Sequence, residues 1–260
     1  MSSAHPFFKK FKSSLEGLSI PSGIDNPFDY VPHPLAVRAC EELQVHLISQ
    51  QEWEHDFGLN DLENGRGGKM FGVLVVSSPE GEIGYLSAFS GKLAGGNHPS
   101  GFVPPVFDYL YEGSFINTGM VELSGIIREI EALENEDVIL HAEKIAILKN
   151  RRKQHSLRLQ KELYDGFHFI NENGNWKSLR EIFKDAPNSN PPGGAGECAA
   201  PKLFQYAFQH NFKPLALAEF FWGVAPKGIN WFHKSYYTSC TDKCGPILRF
   251  MLSESKFTPQ

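Results

Sequence analysis

The sequence has no apolar run close to the roughly 20 residues that a membrane-spanning helix needs. Residues 1–12 carry charges without a following apolar stretch, which is unlike a secretory signal. The chain as a whole also lacks an excess of basic residues: its net charge is -5 and its pI is about 6.1. Domains that bind nucleic acid over their whole surface are usually basic. Nucleic-acid binding by this chain would therefore require a local basic patch. These absences predict a soluble cytoplasmic protein without membrane contact.

Cysteine is scarce, with only four residues, Cys40, Cys198, Cys240 and Cys244. Without an export signal, these are better interpreted as thiols or metal ligands than as disulfides. The remaining composition is ordinary: 41% hydrophobic and 21% charged among 260 residues. Such a chain buries a sizeable core as one large domain or two small ones.

Periodicity predicts a mixed α/β fold. A helix is expected from His33 to about Trp53, because apolar residues recur every four positions after Pro34. The valine-rich run 69–77, the turn at 78–81 and the run 83–89 predict a β-hairpin whose first strand is buried on both faces.

Residues 120–164 contain no proline and carry apolar residues at helical spacing. They predict one long helix or a helical hairpin with coiled-coil character. A straight helix of this length would measure roughly 65 Å, so the segment either projects or folds back. The expected division is therefore 1–118 (arm, helix and hairpin), 119–165 (helical insertion) and 166–260 (α/β portion), with 166–260 packing on 33–118 as one domain.

The end of the predicted insertion is basic. One interpretation is contact with RNA phosphates, and the other is a solvated helix face. Aromatic residues crowd the segment after the predicted strand 213–223, and they offer surfaces for base stacking. The candidate RNA-binding residues are Lys149, Arg151, Arg152, Lys153, Arg158, Trp222 and Trp231.

Three cysteines are expected at helix starts. Cys198 follows a glycine-rich loop and opens a predicted helix, and Cys240 and Cys244 open another. Helix N-termini favour thiolates, and three converging thiolates suit zinc. A fourth ligand from Cys40 or His233 would make the site structural, whereas an open position would make it catalytic in type. Inert core thiols and redox chemistry remain alternatives. Glu197 is a candidate acid/base beside the metal, or a carboxylate that simply favours the helix dipole.

Seven stretches of the chain together resemble one family: residues 26–44, 68–76, 81–95, 102–108, 191–208, 213–223 and 239–248. They are similar to the N-terminal accessory region that precedes the catalytic domain in some bacterial RluA-type pseudouridine synthases. The Arg-Leu-Asp motif of those enzymes does not occur, since Gln160 follows Arg158-Leu159. The resemblance implies an accessory region without synthase activity. It also implies structured RNA (rRNA or tRNA) and a linked or separate catalytic domain as partners.

A second, more distant resemblance concerns architecture. The order of hairpin, cysteine-opened helix, strand and helix opened by paired cysteines is similar to the zinc-dependent cytidine-deaminase fold. It implies a deaminase-like sheet with flanking helices and a zinc ion held by Cys198, Cys240 and Cys244. Ala200 stands where that family has its proton-shuttling glutamate, and Glu197 is the nearest carboxylate in sequence.

Three functions follow as hypotheses. The first is an accessory RNA-modification domain that helps a synthase engage RNA. The second is a zinc-dependent, deaminase-like hydrolase acting on a pyrimidine or related nucleobase. The third is a protein-interaction scaffold built on the predicted helical insertion.

Overall fold

The structure, a computed structural model, describes residues 5–60, 67–184, 186, 189–253 and 257. The chain divides into two compact units. The first unit combines Met1–Val106 with His168–Gln260, and the second is Phe107–Phe167. The expected helical insertion, 119–165, falls inside the second unit.

In its described residues, the first unit contains the strands and four helices. In chain order its strands are β1 (Lys9–Lys10), β2 (Lys69–Ser77), β3 (Ile83–Phe89), β4 (His168–Ile170), β5 (Trp176–Ser178), β6 (Lys213–Trp222) and β7 (Tyr236–Tyr237). Its helices are α1 (Pro34–Ser49), α4 (Leu179–Phe183), α5 (Ala199–Gln209) and α6 (Thr241–Met251), while the second unit contributes α2 (Phe115–Asp137) and α3 (Ala142–Gly166).

The main sheet has the strand order β1-β3-β2-β6-β7 in the described residues, and each of its pairings is antiparallel. Strands β4 and β5 form a separate hairpin. An antiparallel sheet with flanking helices confirms the predicted mixed helix and sheet class.

Strand β2 is buried on both faces, as its continuous apolar run predicts. Phe71, Val73 and Val75 share a core with the apolar stripe of α1. Gly72 points to the other face, where an added Cβ would lie 3.0 Å from the Cβ of Ala199 in α5. The absence of a side chain at Gly72 therefore lets α5 approach the sheet closely.

Two parts of the first unit differ from the sequence expectation. Helix α1 ends at Ser49 instead of near Trp53, because the Gln50 side chain forms a turn. Its Oε1 accepts the Trp53 N–H at 3.2 Å, and its Nε2 donates to the Trp53 carbonyl at 3.0 Å. The β4–β5 hairpin was not predicted. The side chain of Asn171 closes it by accepting the Asn175 N–H at 2.8 Å.

The second unit is a hairpin of two helices, which decides between the two forms predicted for this segment. Its apolar core contains Ile126, Ile130, Leu133, Ile145 and Leu148. Asp137 forms the turn, since its Oδ1 accepts the backbone N–H groups of Ile139 at 2.9 Å and Leu140 at 3.0 Å.

In the described part of the chain, no helix combines the length and the apolar character that crossing a bilayer requires.

Candidate metal centre and basic helix face

Two helix starts bring three cysteines together in the first unit. Cys198 is the N-cap residue of α5, Cys240 is the N-cap residue of α6, and Cys244 follows on the same helix. Their three Sγ atoms all lie within 4.8 Å of one another, and those of Cys240 and Cys244 are 3.4 Å apart. The sequence prediction that these residues converge therefore agrees with the geometry.

The two residues considered as a fourth ligand lie elsewhere. Cys40 is buried on α1 and forms a hydrogen bond with the Tyr236 hydroxyl. The Nδ1 of His233 accepts the backbone N–H of Gly223 at 2.9 Å. Among the described residues the cluster consequently offers three sulfur ligands.

The pKa shifts of the three thiols favour a single thiolate, on Cys240. Hydrogen bonds with the Cys198 and Cys244 thiols hold the pKa of Cys240 well below its usual value. The hydrogen bond to Cys240 raises the pKa of Cys198, and the hydrogen bond to Cys198 raises the pKa of Cys244. Three thiolates at this separation repel one another unless a cation lies between them.

The geometry fits zinc. Thiolate ligands at about 2.3 Å from a tetrahedral ion lie about 3.8 Å from one another, close to the spacing of this cluster. Cys244 is buried and Cys198 is partly buried, whereas Cys240 is exposed. The cluster therefore lies between the core and the surface, with Cys240 on its exposed side.

A buried carboxylate that sequence reasoning missed links the two helix starts. Glu219 on β6 is only 4% exposed. It accepts the Ser239 hydroxyl at 2.5 Å and the backbone N–H of Ala200, and burial raises its pKa to about 7. Ser239 precedes Cys240, and Ala200 lies on the first turn of α5. The signal was present in the sequence, because Glu219 is the one charged residue in 214–223.

Glu197 lies beside the cluster among lysines. Its backbone carbonyl accepts the Gly91 N–H at 2.9 Å, and its charge interacts with Lys69 and Lys202. Lys202 is buried, and its Nζ donates to the carbonyls of Phe89 at 2.9 Å and Gly91 at 3.2 Å. Burial lowers the pKa of Lys202 to about 8. The Glu197 carbonyl and the Lys202 side chain thus hold the loop after β3 against the start of α5.

The predicted basic residues share helix α3 but differ in their partners. Lys149 pairs with Glu134 at 2.7 Å, and Arg158 lies 3.9 Å from Glu122. The side chains of Arg151, Arg152 and Lys153 are exposed and form no ion pair or hydrogen bond with any residue that the structure describes. Their charges are available to a partner in solution.

The two tryptophans predicted to stack on RNA bases have different environments. Trp222 is 3% exposed and packs between Phe220 and His233, with ring centroids 6.4 and 4.3 Å away. It has no open ring face and cannot take the stacking role predicted for it. Trp231 is 41% exposed. It belongs to the first unit, whereas the basic residues belong to the second.

No protein-family model, curated protein or solved structure matches this chain significantly. The resemblance to pseudouridine synthase accessory regions stays a prediction, and function is inferred below from the residues and their geometry.

Proposed function

We propose that this chain is an accessory domain of a pseudouridine-synthase-type protein. It helps a linked or separate catalytic domain engage structured RNA, and it has no synthase activity of its own. The observation that supports the RNA contact is the set of unpaired cations Arg151, Arg152 and Lys153 on α3. A cation already paired with a carboxylate gains little from a phosphate, whereas an unpaired one displaces counterions from the RNA backbone. Lys149 and Arg158 accordingly contribute less than these three.

Combined replacement of Arg151, Arg152 and Lys153 by alanine is expected to weaken RNA binding by about tenfold or more at physiological salt. The slope of log affinity against log salt should become shallower by about two to three, since three phosphate contacts are lost. Fluorescence anisotropy with a labelled structured RNA, repeated at several salt concentrations, measures both quantities.

A matched control removes the same charge from the first unit, by combining Lys12→Ala, Lys92→Ala and Lys213→Ala, which alter three exposed lysines whose side chains form no ion pair with any described residue. If this control weakens binding as much as the α3 variant does, binding follows net charge alone and α3 is not the contact.

We further propose that the first unit has a deaminase-like fold with Zn²⁺ held by Cys198, Cys240 and Cys244. Support comes from the order of elements: α1, the β2–β3 hairpin, α5 opened by one cysteine, β6, and α6 opened by two. In this arrangement a bound metal would tie the two helix starts to each other, which would stabilise the unit.

A second candidate function is a zinc-dependent hydrolase acting on a pyrimidine or related nucleobase. Glu219 favours it, because a buried carboxylate joins the two cysteine-bearing helix starts beside a cluster in which Cys240 is exposed. A bound zinc ion would supply a water acidic enough to act as a nucleophile near neutral pH. Glu219 would hold the proton at its carboxylate oxygen, and the Ser239 hydroxyl would orient that carboxylate.

Ammonia release from pyrimidine nucleosides and short RNAs by zinc-loaded protein tests this candidate. Glu219→Gln is expected to lower the rate by about 100-fold or more, because the amide cannot accept the proton. Glu197→Gln is the matched comparison, and the larger loss identifies the proton acceptor. No release from any substrate by the zinc-loaded protein rejects the hydrolase and leaves the accessory role.

A further inference from the structure

The segment 223–235, between β6 and β7, presents large apolar side chains to solvent. Ile229, Trp231 and Phe232 are 45%, 41% and 69% exposed. Their backbone is nevertheless fixed. The Lys234 N–H donates to the Phe221 carbonyl at 2.6 Å, and the Phe232 N–H donates to the Tyr237 hydroxyl at 2.8 Å. The backbone that carries these aromatic residues is therefore held in place before any partner binds.

The Trp231 ring packs on two neighbouring rings and is partly exposed to solvent. Its ring contacts Phe221 and Tyr237, with centroids 5.3 and 6.0 Å away, and still keeps 41% of its surface in solvent. A ring supported on one side and open on the other offers a flat face for another ring. Base–aromatic stacking uses such faces and tolerates any base.

The charge of the segment suits an anionic partner. It contains Lys227 and Lys234, and no Asp or Glu occurs between Glu219, which is buried, and Asp242. A segment that combines exposed aromatic rings with lysines and has no acidic residue of its own matches a chain of phosphates that carries planar bases.

Strand β7 connects the segment to the cysteine cluster. Tyr237, which supports the Trp231 ring, pairs with Glu219 across β7 and β6. Cys240 follows three residues later. A nucleotide stacked on Trp231 would thus lie next to β7, the edge strand that precedes Cys240 in the sequence.

We propose that segment 223–235 binds unpaired nucleotides of RNA, with bases stacked on Trp231 and Phe232 and phosphates contacted by Lys227 and Lys234. This inference rests on the proposed RNA-binding function and adds to it a second contact that selects unpaired over double-stranded RNA. Bases in a duplex are already stacked on their neighbours, so their faces are closed to Trp231.

The test compares the affinity of the full chain for a short single-stranded RNA and for the duplex of the same sequence, at one salt concentration. Trp231→Ala and Phe232→Ala are each expected to weaken single-strand binding about tenfold and to leave duplex binding unchanged. Trp231→Phe, which keeps a ring, should restore most of the loss. Trp176→Ala is the control, because it removes another exposed tryptophan, 52% exposed on β5.

The α3 variant separates this proposal from the proposed function. One possible result is that the combined alanine replacement of Arg151, Arg152 and Lys153 weakens binding to both RNAs, while the Trp231 and Phe232 variants weaken binding to neither. In that case the proposed RNA contact on α3 stands and the proposed stacking site is wrong. If none of the variants changes either affinity, both are wrong. Binding to vesicles of anionic phospholipid that is lost in Phe232→Ala, with RNA affinity unchanged, overturns the proposal in favour of a membrane contact.

Discussion

Cys198→Ser and Cys244→Ser are each expected to reduce the zinc content of the protein from about one ion per chain to nearly none. Each removes one of the three sulfur atoms that lie within 4.8 Å of one another. A serine hydroxyl keeps its proton near neutral pH and binds zinc poorly, and two remaining thiolates do not hold the ion. Zinc is measured by elemental analysis of protein purified without added metal or chelator.

The same variants should melt about 10 °C below the wild type, because metal binding contributes to the folding free energy of the first unit. Cys40→Ser is the matched control. Its thiol is fully buried on α1 but lies outside the cluster, so this variant should retain its zinc. Wild-type protein that is well folded and free of metal would contradict the zinc site and make the three thiols part of the core.

Phe71→Ala is expected to destabilise the first unit by about 3–5 kcal/mol, because it opens a cavity at the centre of the sheet. The ring is fully buried on β2. Four aromatic rings surround it, and their centroids lie 5.9 Å (Phe57), 6.5 Å (Phe89), 5.9 Å (Phe102) and 5.8 Å (Phe220) away. No single neighbour can move to fill the space.

Urea unfolding, compared between the variant and the wild type, measures this difference in free energy. Phe232→Ala makes the same chemical change at an exposed position and should shift the free energy of unfolding by no more than about 0.5 kcal/mol. Equal effects of the two substitutions would show that β2 does not lie at the centre of the core.

The β2–β3 hairpin could be predicted to the residue, because its signals are local. An apolar run, a Pro-Glu-Gly turn and a second apolar run specify both strands wherever they lie in the fold. The starts of α5 and α6 were predicted almost as well, since a glycine-rich loop and a change in periodicity mark them.

The features that were missed depend on distant contacts. Glu219 acquires its role from Ser239, 20 residues away, and from the helix start at Ala200. Nothing next to Glu219 in the sequence indicates either partner. Trp222 and Trp231 were both predicted to stack on RNA bases, and the packing of β6 separates the buried ring from the exposed one.

The pairing of β2 with β6 determines when the sheet can be completed during synthesis. Val73 lies opposite Ala218, and the whole second unit lies between them along the chain. As the chain leaves the ribosome, β2 can pair with β3 at once, whereas its other edge stays open until β6 has been made. Pairings between distant segments form slowly, and an open apolar strand is prone to join other chains. The core of the α2–α3 hairpin is formed by two helices that are adjacent in the sequence. The hairpin can therefore fold before β6 has been made.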